Sequence, residues 1–170
     1  DTKFIDMDSN GTTDFIFFNW SYSTMTSLGI GHLYQRLFVG PNIHDNGIIG
    51  SKIETYSANN YYPYALPIND TINFSDNLQT AFFQKMACRS FGSFGPSNDG
   101  GNWYPEMLNK YLGVRFIDEM ECYHYGWIRC DVKDEGRTLV IKDYAYETKC
   151  DVGITAGDTI GDTTVPINEI

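Results

Sequence analysis

The chain has 170 residues, enough for one domain with a real core and too few to require two. Its formal net charge of −10, without any run of Lys or Arg, argues against a nucleic-acid partner and against an anionic membrane surface. Aromatic residues form 15% of the chain and glycines number 16, a composition typical of all-β domains rich in turns. We therefore expect a single antiparallel β-sandwich, jelly-roll-like, with long loops and at most one short helix.

The first motif in chain order is the acidic segment DMDSNGTTD, residues 6–14. Oxygen-bearing side chains at alternate positions, a glycine that permits a sharp turn and a closing carboxylate are the pattern that calcium loops use. The predicted ligands are Asp6, Asp8, Asn10, the backbone carbonyl of Thr12, and Asp14. Position twelve is Phe17 instead of a bidentate Glu, so we expect a short calcium loop and not an EF-hand. The alternative is a metal-free turn rich in Asp and Asn.

Two strands are predicted next, over residues 15–22 and 32–39, because apolar residues are almost continuous in the first and alternate in the second. A loop with His44 and Asp45 and a short strand over residues 51–56 follow. Residues 78–89 suit a helix by composition, and they are the least settled element.

An aromatic segment, NNYYPY, lies between these elements. If exposed, its Tyr61, Tyr62 and Tyr64, together with Trp103, would provide flat rings for contact with a saccharide or a protein. If buried, the same residues would only cap the sandwich. The sequence favours the cap.

Residues 111–147 predict three consecutive antiparallel strands with short turns. Apolar residues alternate over 111–118, and residues 122–132 divide into one face with Cys130 and Val132 and another with Tyr125 and Trp127. Lys133 to Gly136 forms the last turn. A simple hairpin would place Val132 opposite Arg137 and Trp127 opposite Lys142.

The motifs YLGVRF, HYGWIR and DYAYE within this block, with the upstream segment DMDSNGTTDF, resemble a recurrent pattern in largely uncharacterised β-rich proteins secreted by Bacteroidota-like bacteria. The similarity extends over most of the chain, although Cys122 and Cys130 depart from the usual pattern. The resemblance implies an extracytoplasmic location and a β-sandwich. For residues 78–89 it implies a strand. It supplies no catalytic residues.

Four cysteines without CxxC spacing favour disulfides over a zinc or haem site. Cys122 and Cys130 lie in one predicted strand, too far apart to bond. The hairpin places Cys150 near Cys122, so we predict the pairs Cys122–Cys150 and Cys88–Cys130. The alternative is that one or both pairs are reduced.

Three Asp-Thr steps, at Thr71, Thr159 and Thr163, resemble the acceptor site of bacterial O-glycosylation in the same lineage. Chance matches in a chain rich in Asp and Thr are the alternative explanation. Residues 1–157 are predicted to form the domain, and residues 158–170 a C-terminal tail or an exchangeable edge strand.

No nucleophile elbow, phosphate loop or HExxH motif occurs, and we do not expect an enzyme. The preferred hypothesis is a secreted or cell-surface structural or adhesive protein, stabilised by calcium and disulfides. A subunit of an extracellular fibre or cell-surface assembly is one form of this role. Its expected partners are copies of itself or other cell-surface components. The alternatives are a carbohydrate-binding module with a glycan partner and, third, a secreted hydrolase. No apolar stretch reaches the roughly 18 residues of a membrane span.

Overall fold

The structure is a computed structural model that describes residues 1–25, 31–56, 59–73, 76–92, 95–96, 100–159 and 165–166. The regular structure of this part is almost all β-strand, so the all-β prediction is confirmed. In chain order the strands are β1 Thr2–Ile5, β2 Phe15–Met25, β3 Gly31–Pro41, β4 Gly47–Glu54, β5 Asn59–Pro63, β6 Thr71–Ile72, β7 Leu78–Gln79, β8 Gln84–Gly92, β9 Gly95–Pro96, β10 Met107–Ile117, β11 Tyr123–Lys133, β12 Thr138–Tyr146, β13 Ile154–Thr155 and β14 Val165–Pro166.

The five-stranded sheet has the order β1-β2-β3-β8-β9, and all its neighbours are antiparallel. Its longest pairing joins β2 to β3, from Phe15 opposite Pro41 to Met25 opposite Gly31. Side chains alternate across β2, so Phe15 and Phe17 are buried while Trp20 on the other face is exposed.

The seven-stranded sheet has the order β14-β12-β11-β10-β4-β5, with β7 also paired to β4. The antiparallel meander β10-β11-β12 forms its centre, as the sequence predicts. β14 pairs with β12 at the edge through Asp143 and Tyr144, so this part of the predicted tail lies on its own domain.

The main core lies between the two sheets. Its largest members include Phe15, Phe17 and Leu37 from the five-stranded sheet and Phe116 and Ile128 from the seven-stranded sheet. This packing of two antiparallel sheets on alternating apolar residues is the predicted sandwich.

A second core covers the outer face of the seven-stranded sheet. Tyr111, Tyr125 and Trp127 point to this side, and the two-stranded ribbon of β6 and β13 brings Ile72 and Ile154 onto them. The division of β11 into two faces is therefore as predicted, but both faces are buried.

The predicted register of the β11–β12 hairpin is wrong. Val132 lies opposite Leu139, and Trp127 lies opposite Ala145. The turn Asp134–Gly136 forms a 3-10 turn, and an irregularity between Arg129 and Cys130 adds a further shift. The alternation of residues in the sequence predicts neither the 3-10 turn nor this irregularity.

The composition-based prediction of a helix over residues 78–89 is also wrong. This segment contains β7 and most of β8. Gln84, Met86 and Ala87 are buried in the sandwich. Helix propensities differ between ordinary residues by only roughly a few tenths of a kcal/mol, so tertiary packing decides the structure of this segment.

Candidate functional site

The acidic loop connects β1 to β2 and is held by a narrow neck. The Asp14 N–H donates to the Ile5 carbonyl at 2.8 Å, directly beside the pair of Ile5 and Phe15. Met7, inside the loop, is fully buried in the main core. The loop is therefore anchored at both ends and at one internal point, which fixes where its carboxylates lie.

Three of the five predicted calcium ligands converge. Asp6, Asp8 and Asp14 each place one carboxylate oxygen within 4.8 Å of the other two. The backbone N–H groups of Asn10 and Gly11 donate to Asp6 at 3.2 and 2.8 Å. Gly11 has a φ of +90°, a conformation that a side chain would strain, and it lets the chain fold back over Asp6.

The other two predicted ligand residues, Asn10 and Thr12, are linked to the cluster by hydrogen bonds. Asn10 donates to Asp8 through its backbone N–H and through its amide Nδ2, both at 3.2 Å. The Asn10 amide oxygen accepts the Thr12 N–H at 2.7 Å, which is an Asx turn. The loop thus contains an Asx turn beside its carboxylate cluster.

Asp14 connects the loop to the seven-stranded sheet. Its carboxylate is buried and accepts the Met7 N–H at 2.8 Å and the Asn46 amide at 3.0 Å. Asn46 is also fully buried, and its own oxygen accepts the Ile117 N–H at 2.9 Å. The chain of hydrogen bonds runs from the loop through Asn46 to β10, so Asp14 connects the acidic loop to the seven-stranded sheet.

The electrostatics of the cluster disfavour three negative charges without a counter-ion. Burial raises the pKa of Asp14 to about 6; the Met7 and Asn46 hydrogen bonds oppose this shift, and the charges of Asp8 and Asp6 add to it. Burial is also the largest cause that raises the pKa of Asp8, with Asp6 contributing. A divalent cation would neutralise this repulsion, and carboxylate oxygens are the ligands that calcium prefers.

The disulfide predictions divide. Cys122 and Cys150 are bonded, with an S–S distance of 2.00 Å, so this pair is confirmed. The Cys88–Cys130 pair is wrong, because neither cysteine is in a disulfide. Cys130 faces the main core, where burial raises the pKa of its thiol, whereas Cys88 lines a cavity on the far side of the five-stranded sheet.

A second group of potential metal ligands, Asp118, Cys122 and His124, surrounds this disulfide. The sulfur of Cys122 is bonded to Cys150 and is therefore not available as a thiolate ligand. His124 is buried between the Glu147 carbonyl, 2.8 Å from Nδ1, and Asp118, 3.2 Å from Nε2. The Cys122 N–H, followed by His124, lowers the pKa of Asp118. With both ring nitrogens at hydrogen-bond distance from these groups, His124 has the arrangement of a structural histidine.

The predicted aromatic ligand residues lie in different environments. Trp103 is fully buried in the main core, so it cannot be the surface ligand residue of the carbohydrate-binding alternative. Tyr64 packs on the second core, while Tyr61 and Tyr62 are half-buried. The residue pattern of NNYYPY does not distinguish buried from half-buried tyrosines, because β5 lies at the edge of its sheet.

Of the three predicted glycosylation sites, Thr71 and Thr159 are exposed. Thr163 lies outside the described residues.

Sequence reasoning missed the outer aromatic face, defined as Phe18, Trp20, Tyr22, Tyr34, Arg36 and Phe38. Three consecutive cross-strand pairs of β2 and β3 form it: Phe18 with Phe38, Trp20 with Arg36, and Tyr22 with Tyr34. Aromatic residues occupy alternate positions in both strands of the sequence. Only the β2–β3 register shows that these positions lie opposite each other.

The described residues form an antiparallel sandwich that carries a disulfide. Among them, no helix combines the length and the apolar character needed to cross a bilayer. No protein-family model matches the chain, and no curated protein or solved structure matches it either.

Proposed function

We propose that the chain is a calcium-binding, disulfide-stabilised structural or adhesive module that works outside the cytoplasm. The observation that carries this proposal is the convergence of Asp6, Asp8 and Asp14 in a loop anchored to both sheets. Calcium at these carboxylates would stabilise the junction of the two sheets, since the ion would bind the folded loop far better than an unfolded chain.

Two further observations support an extracellular role. The Cys122–Cys150 disulfide suits an oxidising compartment. The YLGVRF, HYGWIR and DYAYE block, which resembles that of secreted Bacteroidota-like proteins, forms the central strands β10, β11 and β12. We propose that the chain belongs with those proteins and that its role is non-enzymatic. Both ring nitrogens of His124 lie at hydrogen-bond distance from structural partners, which supports the latter proposal.

Calcium should raise the melting temperature. In 5 mM calcium we expect a Tm several degrees above that in excess EGTA, since a ligand at 100 times its Kd adds about 2.7 kcal/mol of stability. Magnesium should give a smaller shift, because it requires a stricter octahedral geometry. Differential scanning calorimetry measures both. An unchanged Tm in excess chelator would remove calcium from the proposal.

Asp8→Asn separates calcium binding from stability. In EGTA this variant should be at least as stable as the natural chain, because it removes a carboxylate whose pKa is raised. In calcium it should lose most of the shift in Tm. Glu119→Gln is the control, since it removes an exposed carboxylate outside the cluster and should keep the full shift.

Self-association is the second part of the proposal. Sedimentation and negative-stain electron microscopy across salt and calcium conditions would detect fibres or smaller assemblies. Monomers under every condition would restrict the role to a module that adheres to other components.

A further inference from the structure

The outer aromatic face leads into a cavity of about 380 Å³. Tyr22 and Tyr34 stack with ring centroids 4.6 Å apart, and Trp20 lies 4.6 Å from Tyr22. Tyr34 and Arg36 then form part of the cavity wall. A row of rings along the sheet surface is thus continuous with this cavity.

The cavity is built where β5 crosses the outer side of β8. Arg36 lies opposite Cys88, and Phe38 lies opposite Lys85, so the side chains of Arg36 and Lys85 point to the same outer face. Tyr62 and Asn60 of β5 form the facing wall. The cavity volume is near the lower end of the roughly 300–1,000 Å³ typical of small-molecule sites.

Positive charge is concentrated there in a chain whose net charge is −10. None of the described residues lining the cavity is Asp or Glu. Arg89 is at the rim but forms an ion pair with Glu135. Within the described part of the chain, Arg36 and Lys85 form no ion pair.

Both cations are held by aromatic rings. The Arg36 guanidinium lies 5.6 Å from the centroid of Trp20, and the Lys85 ammonium lies 5.3 Å from that of Tyr62. Lys85 Nζ is also 3.4 Å from the Asn60 amide oxygen. These contacts position two charges without neutralising them, so both can bind an anion.

We propose that this cavity and the adjoining rings bind a saccharide that carries a carboxylate or sulfate group. The flat rings suit the faces of sugar rings, and Arg36 and Lys85 suit the anionic group. An acidic peptide strand fits less well. The edge of β8 beyond β3 is already paired with β9 and with Gly100, and is closed to an added strand.

Isothermal titration calorimetry in EGTA tests this site without calcium, so its outcome is separate from that of the calcium loop. The probes are tetragalacturonate, its methyl ester, dextran sulfate, dextran and, for the acidic-peptide alternative, hexaglutamate. Tetragalacturonate, dextran sulfate or both should bind, and the uncharged counterpart of each binder at least about tenfold more weakly, since a charged hydrogen bond is worth about that factor. Which anionic probe binds identifies the acidic group.

Arg36→Gln and Lys85→Gln should each weaken binding of the anionic probe at least about fivefold. Trp20→Ala tests the adjoining ring and should weaken binding of a longer oligogalacturonate more than of the tetramer. Lys149→Gln, an exposed cation beside the disulfide, is the matched control and should bind as the natural chain does. Thermal melts check that each variant is folded.

Several results would overturn the proposal. The first is that neither anionic glycan binds. The second is that tetragalacturonate binds, but no more tightly than its ester. The third is that Arg36→Gln and Lys85→Gln both bind the anionic probe as the natural chain does. Tighter binding of hexaglutamate than of either glycan, with the same dependence on Arg36 and Lys85, would assign the site to acidic peptides instead.

Discussion

Both sheets carry aromatic side chains on the face turned away from the main core, and the two faces differ in what covers them. Trp127 on the seven-stranded sheet is 2% exposed, whereas Trp20 on the five-stranded sheet is 44% exposed. Each lies in an 11-residue strand that pairs with a neighbouring strand on both sides. The strand pattern alone therefore does not decide which face becomes a core and which becomes a surface.

The difference comes from remote parts of the chain. The ribbon of β6 and β13 packs over Trp127, and the indole N–H donates to the Asp158 carbonyl at 3.1 Å. Trp20 packs on Tyr22 and Arg36 of its own sheet. A face that remains exposed while carrying ordered rings and a cation is suited to binding, whereas the covered face contributes to stability.

The largest expected effect is at the covered tryptophan. Trp127→Ala should lower the free energy of unfolding by about 3–5 kcal/mol, because it leaves a cavity and removes the Asp158 hydrogen bond. Trp20→Ala should cost less than about 1 kcal/mol, as is usual for exposed positions. Urea unfolding followed by far-ultraviolet circular dichroism measures both. Equal losses would contradict the distinction between the two faces.

The disulfide joins the segments that flank β11 and β12, and its expected contribution to stability is the next largest. It links residues separated by 28 positions around the β11–β12 hairpin, which corresponds to about 3–4 kcal/mol of loop-closure entropy. The Cys122→Ser, Cys150→Ser double variant should lose about that amount in urea unfolding. Cys88→Ala, on the five-stranded sheet, is the control and should lose much less. A loss of similar size in both would show that the disulfide has no special role.

Asp14 lies between the acidic loop and the seven-stranded sheet, and its raised pKa predicts that the stability of the fold depends on pH. Because the folded-state pKa is raised to about 6 from 3.8, the folded chain holds a proton that the unfolded chain has released between these values. Without calcium, stability contributed by Asp14 is therefore present below pH 4 and is lost as the pH rises through about 6, by up to about 3 kcal/mol.

Comparison with Asp14→Asn isolates this contribution, since other carboxylates titrate in the same range. Measured in EGTA, the free energy of unfolding of the natural chain should fall relative to that of Asp14→Asn between pH 4 and pH 7. Calcium should abolish the shift by stabilising the ionised carboxylate. A difference independent of pH would mean that Asp14 is not protonated in the folded state near pH 5.

The parts of the structure that depend on local pattern were predictable from the sequence. An almost continuous apolar run identified β2, and alternation identified β3 and the β10-β11-β12 meander. The spacing of acidic residues identified the cluster of Asp6, Asp8 and Asp14. The Cys122–Cys150 pair also followed, because an approximate hairpin register is enough to bring two chain ends together.

The parts that depend on register or on remote packing were not predictable. A 3-10 turn and one irregularity move Trp127 from Lys142 to Ala145, and neither has a signature in the residues. Trp103 is buried by both sheets at once, and Cys88 faces outward because of its pairing with Arg36. The basic cavity arises only when β3, β5 and β8 are placed together.

The smallest expected effect concerns the stacked pair Tyr22 and Tyr34, whose rings lie 9° from parallel. A double-mutant cycle with Tyr22→Ala and Tyr34→Ala should give a coupling energy of about 0.5–1 kcal/mol in urea unfolding. The same cycle at Tyr111 and Trp127, 5.2 Å apart on the covered face, should give a coupling at least as large because those rings are buried. A Tyr22–Tyr34 coupling of several kcal/mol would show that the exposed rings mainly stabilise the fold. A coupling near the expected value leaves them free to serve as a binding surface, since the sandwich would not depend on them.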